Sequence, residues 1–301
     1  MFKLICGLGN CDIENVKALV KLYAKAGAHI FDVSPYALKA LNDAITEEGL
    51  NPRDFKFCIS LPVEGDAHGK KAKILPKKCK KCAKCVKICP QGAIKDFRVD
   101  ENKCIGCSAC KKVCKHGAVK LFDKTGYFNE FKSLLKTNLK LDCVELHASC
   151  GPKKVIYKAA KDICKKFKGD FSLCISRKHF STEDCAEIVE NVRKIAAENS
   201  NFYIQADGNS MNFANTEMAS TLECAAFALA LKEYGIKESQ IILSGGTNEY
   251  TKTLCDNLFL APCAIAYGSY ARKIVKNLSQ KEALIAAKNF VKHSEGGSSR
   301  G

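Results

Sequence analysis

Eight of the 19 cysteines fall in two groups of four with identical spacing. The first group, in CKKCAKCVKICP, begins at Cys79, and the second, in CIGCSACKKVCK, begins at Cys104. Both groups place their cysteines at intervals of three, three and four residues. Cysteine thiolates bind soft metal centres, and three of them on one tight loop reach three corners of a cubane cluster. The spacing therefore predicts iron–sulfur chemistry in this segment.

The fourth cysteine of each group determines how the eight ligands are shared between two clusters. The run Cys-x2-Cys-x2-Cys-x3-Cys-Pro is typical of bacterial ferredoxins with two clusters, in which the fourth cysteine ligates the other cluster. Pro90 follows the first group and Lys115 the second, a difference that leaves the ligands intact. The pattern predicts two [4Fe-4S] clusters, one held by Cys79, Cys82, Cys85 and Cys114 and the other by Cys104, Cys107, Cys110 and Cys89.

Zinc is the alternative for these cysteines, because four thiolates also bind structural zinc. Zinc-binding pairs of cysteines are normally separated by longer loops, whereas three cysteines at uniform spacing suit a cubane. The related sequences QGAI and HGAV after the two groups also indicate an internal duplication. Iron–sulfur clusters are therefore the favoured interpretation.

Polar side chains also alternate with apolar ones in segments outside the cysteine-rich region. Glu145 and His147 share one face of CVELH, and Asp207 shares a face of YIQAD with Gln205. A buried carboxylate is unfavourable without a partner, so these residues and Asp32 together predict a polar ligand pocket. Glu145, His147 and Asp207 are the acid–base candidates. The alternative is that they are hydrogen-bonded groups of the core.

Two glycine-containing loops follow the last two apolar runs. They read SGGTN and GSYARK, and each precedes a predicted helix. Backbone N–H groups of Gly245, Gly246, Gly268 and Ser269, with the charge of Arg272, are suited to bind a phosphate. A phosphorylated metabolite and flavin mononucleotide (FMN) both fit this pattern. The alternative is that the glycines only form tight turns.

The elements that position these residues alternate regularly along the chain. Eight short apolar runs are each followed by a helical pattern, for example the one predicted over 182–199. This predicts a (β/α)8 TIM-like barrel with a bacterial 2[4Fe-4S] ferredoxin-type domain inserted after the third strand. The alternative is an open, doubly wound sheet. The predicted boundaries are 1–63 and 119–293 for the barrel, 64–118 for the insert and 294–301 for a flexible tail.

The positive charge is concentrated in the cysteine-rich segment. The chain has 301 residues and a net charge of +16, and between Glu64 and Lys120 there are 16 basic residues against 5 acidic ones. A basic surface beside redox clusters favours an acidic electron-carrier or regulatory protein as partner. Nucleic acid is disfavoured, because no nucleic-acid-binding motif accompanies the lysines. No apolar run reaches the roughly 18 residues of a membrane span, and cysteine use suits a reducing cytoplasm.

Five segments around the cysteine groups resemble the LdpA family, the light-dependent period proteins of cyanobacteria. They are FKLICG, VELHAS, IQADGNSM, LSGGTN and AYGSYARK, and the resemblance extends from Phe2 to about Lys276. It implies an iron–sulfur protein that senses the redox state of the cell and adjusts the circadian clock. Only the cluster cysteines carry over from it residue by residue.

Two functional hypotheses follow. The first is a redox-sensing or electron-transferring protein with two clusters. The second is an iron–sulfur oxidoreductase, in which the clusters pass electrons to a flavin or a phosphorylated ligand at the carboxyl-terminal face of the barrel. A regulator that binds nucleic acid through the lysines is a weaker third hypothesis.

Overall fold

A closed barrel of eight parallel strands forms the larger part of the molecule. The computed structural model describes residues 1–124, 126–208 and 216–296. The part of the predicted 294–301 tail from 297 onward and the part of IQADGNSM beyond Gly208 therefore lie outside the described residues. Around the barrel the strands run in chain order: β1 (Phe2–Ile5), β2 (Ile30–Val33), β3 (Lys56–Pro62), β8 (Cys143–His147), β9 (Asp170–Ile175), β10 (Phe202–Asp207), β11 (Ile241–Ser244) and β12 (Ala264–Tyr267), which pairs with β1.

Helices cover the outside of the barrel, at least one after each barrel strand. They are α1 (Ile13–Ala26), α2 (Leu38–Glu47), α5 (Tyr127–Leu134), α6 (Lys153–Cys164), α7 (Thr182–Ile195), α8 (Glu217–Glu233), α9 (Tyr250–Asn257), α10 (Ser269–Val275) and α11 (Gln280–Ser294). Local sequence fixes their ends. The Asp12 side chain accepts a hydrogen bond from the N–H of Asn15 at the start of α1, and Gly27 ends this helix in the left-handed conformation.

The insert occupies the connection between β3 and α5. Its two ends pair as an antiparallel ribbon, β4 (Lys70–Ile74) with β7 (Val119–Asp123). Between them lie two short helices and a two-residue hairpin: α3 (Lys84–Ile88), β5 (Ile94–Lys95), β6 (Arg98–Val99) and α4 (Ala109–Val113). The prediction of a (β/α)8 barrel with an insert after the third strand is thereby confirmed.

Strand alternation separates two environments in the barrel. Outward residues such as Phe2 and Leu4 pack beneath the helices in the main apolar core. Inside the barrel a second, smaller apolar cluster contains Ile30, Ile242 and Ala266. The other inward positions carry polar side chains, which form the site described below. Among the described residues, no helix has the length and apolar character to cross a membrane.

Candidate functional site

The two cysteine groups adopt the same local structure. In each, a residue in the left-handed conformation, Ala83 or Ser108, follows the second cysteine and precedes a short helix that carries the third. The fourth cysteines, Cys89 and Cys114, end these helices. The internal duplication seen in the sequence therefore corresponds to two structurally equivalent halves.

Backbone N–H groups point at the cysteine sulfurs. The N–H of Ala93 donates to Cys89 Sγ at 3.3 Å, and the N–H of Ala118 donates to Cys114 Sγ at the same distance. These alanines belong to the repeated QGAI and HGAV sequences. The N–H of Ala72 likewise donates to Cys104 Sγ at 3.4 Å. Such donors stabilise the negative charge that thiolate ligands carry in a cluster.

Two cavities divide the eight cysteines in the predicted crossed arrangement. The first is lined by Cys104, Cys107, Cys110 and Cys89 together with apolar side chains. The second is lined by Cys79, Cys82, Cys85 and Cys114. Each cavity thus takes three cysteines of one group and the fourth of the other. Four thiols and a largely apolar wall fit an iron–sulfur cluster.

The second cysteine group lies against the mouth of the barrel. Lys71, which is fully buried, donates hydrogen bonds from Nζ to the carbonyl oxygens of Cys104 and, at 2.5 Å, of Gly9 in the loop after β1. The N–H of Cys11 in this loop donates to the carbonyl of Asn102 at 3.0 Å. A side chain at Gly9 would come within 3.2 Å of the Ile105 backbone, so the close approach favours glycine. The insert and the barrel are therefore in direct contact at the second group.

A buried ionic network occupies the middle of the barrel. Lys3 Nζ lies 2.6 Å from Asp32 Oδ2 and 2.8 Å from both Glu145 Oε2 and Gln205 Oε1. The Ser60 hydroxyl contacts Asp32 at 2.6 Å and Glu145 at 3.1 Å. The sequence reading missed Lys3, which is only 1 % exposed, because a lysine within a strand is usually solvated.

This network sets the charges of its members. Burial opposes a charge on Lys3, but Asp32 and Glu145 outweigh it and raise the pKa of Lys3 well above its usual value. Burial raises the pKa of Asp32 to about 6. Burial also disfavours a charge on Glu145, yet Lys3 lowers the pKa of Glu145 below its usual value. Glu145 is therefore held as an ionised partner of Lys3.

The other two acid–base candidates lie at the carboxyl ends of their strands. His147 Nδ1 is 2.8 Å from Asp66 Oδ2, and Ser244 Oγ donates to Asp207 Oδ1 at 3.3 Å. Asp66 belongs to the loop that leads from β3 into the insert, and no periodic pattern in the sequence marked it. One ligand atom each from His147, Cys174 and Asp207 lies within 4.8 Å of the others. The predicted trio is thus divided, with Glu145 in the Lys3 network and His147 and Asp207 in a second group.

The glycine loops lie at the ends of the neighbouring strands β11 and β12. Gly245 and Gly246 both have positive φ, and the carbonyl of Gly246 accepts hydrogen bonds from Ser220 and Asn248, each at 2.9 Å. A side chain at Gly245 would overlap the Asp207 carboxylate. Tight packing thus requires glycine at this position, whether or not a ligand binds.

Arg272 is engaged within the protein. Its Nη1 donates to the carbonyl oxygen of Ile5 at 2.7 Å, and its Nη2 lies 3.4 Å from Ser269 Oγ. Gly268 and Ser269 stand at the start of α10, beside the end of β1. The predicted phosphate-binding residues therefore occupy adjacent loops, and their role in binding stays a prediction.

Two family models match the chain. The model described as "Light dependent period A C-terminal domain" matches residues 134–295, which is more than half of the chain. The model described as "LdpA Fe-S cluster-binding domain" matches residues 75–125. Comparison with curated protein sequences finds no match.

Solved structures with a similar fold are distant in sequence. Deoxyribose phosphate aldolase from Aeropyrum pernix is 10 % identical, with a TM-score of 0.51 over 97 % of this chain and 89 % of that one. Orotidine 5'-phosphate decarboxylase from Pyrococcus horikoshii OT3 is 13 % identical, with a TM-score of 0.46 over 98 % of this chain and all of that one. At such identities the aldolase supports the barrel fold alone.

Proposed function

The chain belongs to the light dependent period A (LdpA) family, and we propose that it is a redox sensor or electron carrier with two [4Fe-4S] clusters. Its character as an iron–sulfur protein follows from the cluster-binding domain at residues 75–125. The observation that carries the two-cluster proposal is the division of the eight cysteines between two cavities. Clusters bound there would supply one-electron transfer at potentials set by charge, hydrogen bonding and solvent exposure.

An acidic protein is the proposed partner. Six lysines around the first cysteine group are exposed, and none of them forms an ion pair within the described part of the chain: Lys77, Lys78, Lys80, Lys81, Lys84 and Lys87. Cys82, a proposed ligand in this group, is also exposed, as is the apolar side chain of Ile88. Unpaired positive charge around an exposed ligand supports docking of an acidic electron carrier or regulator.

Anaerobic purification tests the cluster assignment. We expect roughly eight irons and eight sulfides per chain, because each [4Fe-4S] cluster contains four of each. Cys89→Ala and Cys114→Ala should each lose the iron of one cluster. Cys164→Ala, which removes a buried cysteine from α6, should lose none. Zinc without sulfide in the purified protein would refute the proposal, and four irons would refute the second cluster.

An oxidoreductase is the second candidate, favoured by the contact between the second cysteine group and the barrel mouth. The Lys71 bridge between Cys104 and Gly9 brings one proposed cluster to the loop after β1, on the same face of the barrel as the loops that would bind FMN or a phosphorylated ligand. Electrons would then pass from the insert into the barrel.

Mass spectrometry of the small molecules released on denaturation separates the two candidates. A released flavin or phosphorylated metabolite would favour the oxidoreductase. Arg272→Ala should then weaken binding of that ligand, whereas Lys273→Ala, at an exposed position paired with Glu217, should not. A cluster-loaded protein that releases no such molecule would favour the sensor or electron carrier.

A further inference from the structure

Three side chains with different metal-binding atoms converge at the carboxyl ends of consecutive barrel strands. His147 ends β8, Cys174 stands opposite it on β9, and Asp207 ends β10. His147 and Cys174 are buried, and Asp207 is half-buried. One ring nitrogen, the thiol sulfur and one carboxylate oxygen lie within 4.8 Å of one another. These atoms are close enough to share one ion, and none of them belongs to the two cysteine groups.

Asp66 fixes the orientation of His147. The Asp66 Oδ2 atom lies 2.8 Å from Nδ1 of the ring, and Asp66 is itself 1 % exposed. With Nδ1 engaged, Nε2 is the nitrogen that remains for a metal. A carboxylate on the far ring nitrogen is the usual outer partner of a metal-binding histidine, because it sets the tautomer and orients the ring.

Asp207 is held in place from the opposite side. The Ser244 hydroxyl donates to its Oδ1 atom at 3.3 Å. The backbone of Gly245 packs so closely against this carboxylate that no side chain fits there. All three potential ligands therefore have positions fixed by the barrel or by its nearest loop.

We propose that His147, Cys174 and Asp207 bind one Zn²⁺ ion at the barrel mouth, with Asp66 as the outer partner of His147. A nitrogen, a sulfur and an oxygen ligand together suit zinc, which binds all three atom types. Three protein ligands leave a fourth position for a water molecule or an oxygen of a bound ligand, as in catalytic zinc sites. The proposal is independent of the iron–sulfur function.

A neighbouring set, Asp66, His68 and His147, is less suitable for a metal. Asp66 Oδ1 already accepts from the N–H of His68 at 2.8 Å, and Oδ2 accepts from Ser149 at 3.1 Å as well as bonding His147. A metal at this set would have to displace these hydrogen bonds. The set with Cys174 and Asp207 keeps them.

Zinc binding would change the protonation state of the buried Cys174 thiol. Burial raises the pKa of Cys174 to about 12 even beside His147, so this residue is a thiol at neutral pH in the metal-free protein. A bound Zn²⁺ ion replaces the thiol proton and any proton on His147 Nε2, and both protons pass to solvent. Cys174 then becomes a thiolate ligand without a redox step.

Zinc content after equilibration in a zinc buffer tests the proposal. The cluster-loaded protein is desalted, and zinc, iron and sulfide are measured on the same sample. We expect about one zinc per chain. Cys174→Ser and His147→Gln should lower zinc affinity at least tenfold, and Asp66→Asn should lower it roughly 10- to 100-fold without changing the stoichiometry. Cys143→Ser, at an inward position of the same strand as His147, is the matched control and should retain zinc.

X-ray absorption at the zinc edge of the wild-type protein provides a test that does not depend on how the variants fold. We expect one sulfur at about 2.3 Å and two or three nitrogen or oxygen atoms at about 2.0–2.1 Å. Four sulfurs would place the zinc in the cysteine groups and overturn the proposal. No retained zinc, or retention equal in wild type, Cys174→Ser and His147→Gln, would also overturn it. Failure of the cluster assignment would appear separately, as missing iron and sulfide.

Discussion

Lys71 in the insert donates a hydrogen bond to the carbonyl oxygen of Gly9 in the barrel at 2.5 Å, and the same ammonium group bonds the carbonyl of Cys104. One fully buried cation therefore connects a proposed cluster ligand with the first loop of the barrel. The charge of Lys71 therefore acts on both the insert and the barrel.

Removal of this cation should change the cluster beside it. We expect Lys71→Met to lower the reduction potential of the cluster bound through Cys104, because a nearby positive charge stabilises the more negative reduced state. Redox titration followed by electron paramagnetic resonance measures this potential. Lys73→Met, at an exposed position of the same strand, is the control and should leave it unchanged. Equal potentials in wild type and Lys71→Met would contradict the prediction.

Lys3 should be essential for the stability of the barrel. Lys3→Met leaves Asp32 and Glu145 buried without their cation, and breaking such a network costs about 3–5 kcal/mol of unfolding free energy. Urea unfolding followed by circular dichroism measures the loss. The triple variant Lys3→Met, Asp32→Asn and Glu145→Gln should recover part of it, because no unpaired charge remains. A triple variant no more stable than Lys3→Met would argue against this electrostatic explanation.

The stability of the protein should depend on pH through Asp32. Burial raises its pKa to about 6 in the folded state, whereas the pKa of an aspartate in an unfolded chain is about 3.9. Between these values the folded state binds the extra proton, so this residue contributes less stability as the pH rises from about 4 to about 6. As the pH rises from about 4 to about 6, the melting temperature should therefore fall more in wild type than in Asp32→Asn. Parallel curves would show that Asp32 does not titrate in this range.

Two glycines with the same φ allow the effects of backbone strain and of steric overlap to be measured separately. Gly245 and Gly49 both have φ of +69°, but a side chain at Gly49 would meet nothing within 4 Å. Gly49→Ala should cost about 1–2 kcal/mol, the usual penalty of the left-handed conformation. Gly245→Ala should cost more, because its Cβ would also lie 2.6 Å from the backbone nitrogen of Gly208 and overlap Asp207. Equal losses of unfolding free energy in Gly49→Ala and Gly245→Ala would show that steric overlap makes no contribution at Gly245.

The sequence predicted the features that depend on local period and spacing. Eight alternating runs predicted the barrel, and the alternation in CVELH correctly placed Glu145 and His147 inside it. The end of α7 was predicted too late, at 199 instead of Ile195. Here Asn199 turns back and its side chain bonds the carbonyls of Phe167 and Gly169, a contact between residues 30 or more positions apart.

Residues whose roles depend on contacts between distant segments of the chain could not be predicted from the sequence. Lys3 belongs to an apolar run, and its burial depends on carboxylates from two other strands. Asp66 lies in a loop, and it contacts His147 because the preceding strand β3 ends beside β8, where Pro62 pairs with His147. In the sequence Cys174 resembles a buried apolar residue, and only the pairing of β8 with β9 places it next to His147. Each of these contacts joins distant segments, and local patterns carry no information about them.

The ribbon of β4 and β7 bears on how such a molecule could arise. Lys70 pairs with Asp123, so the chain departs from the barrel and rejoins it at almost the same point. An ancestral barrel could have acquired the whole segment between them in a single genetic event without reordering any of its strands. For the same reason, a short linker between these two positions would bridge the gap that excision of the segment leaves.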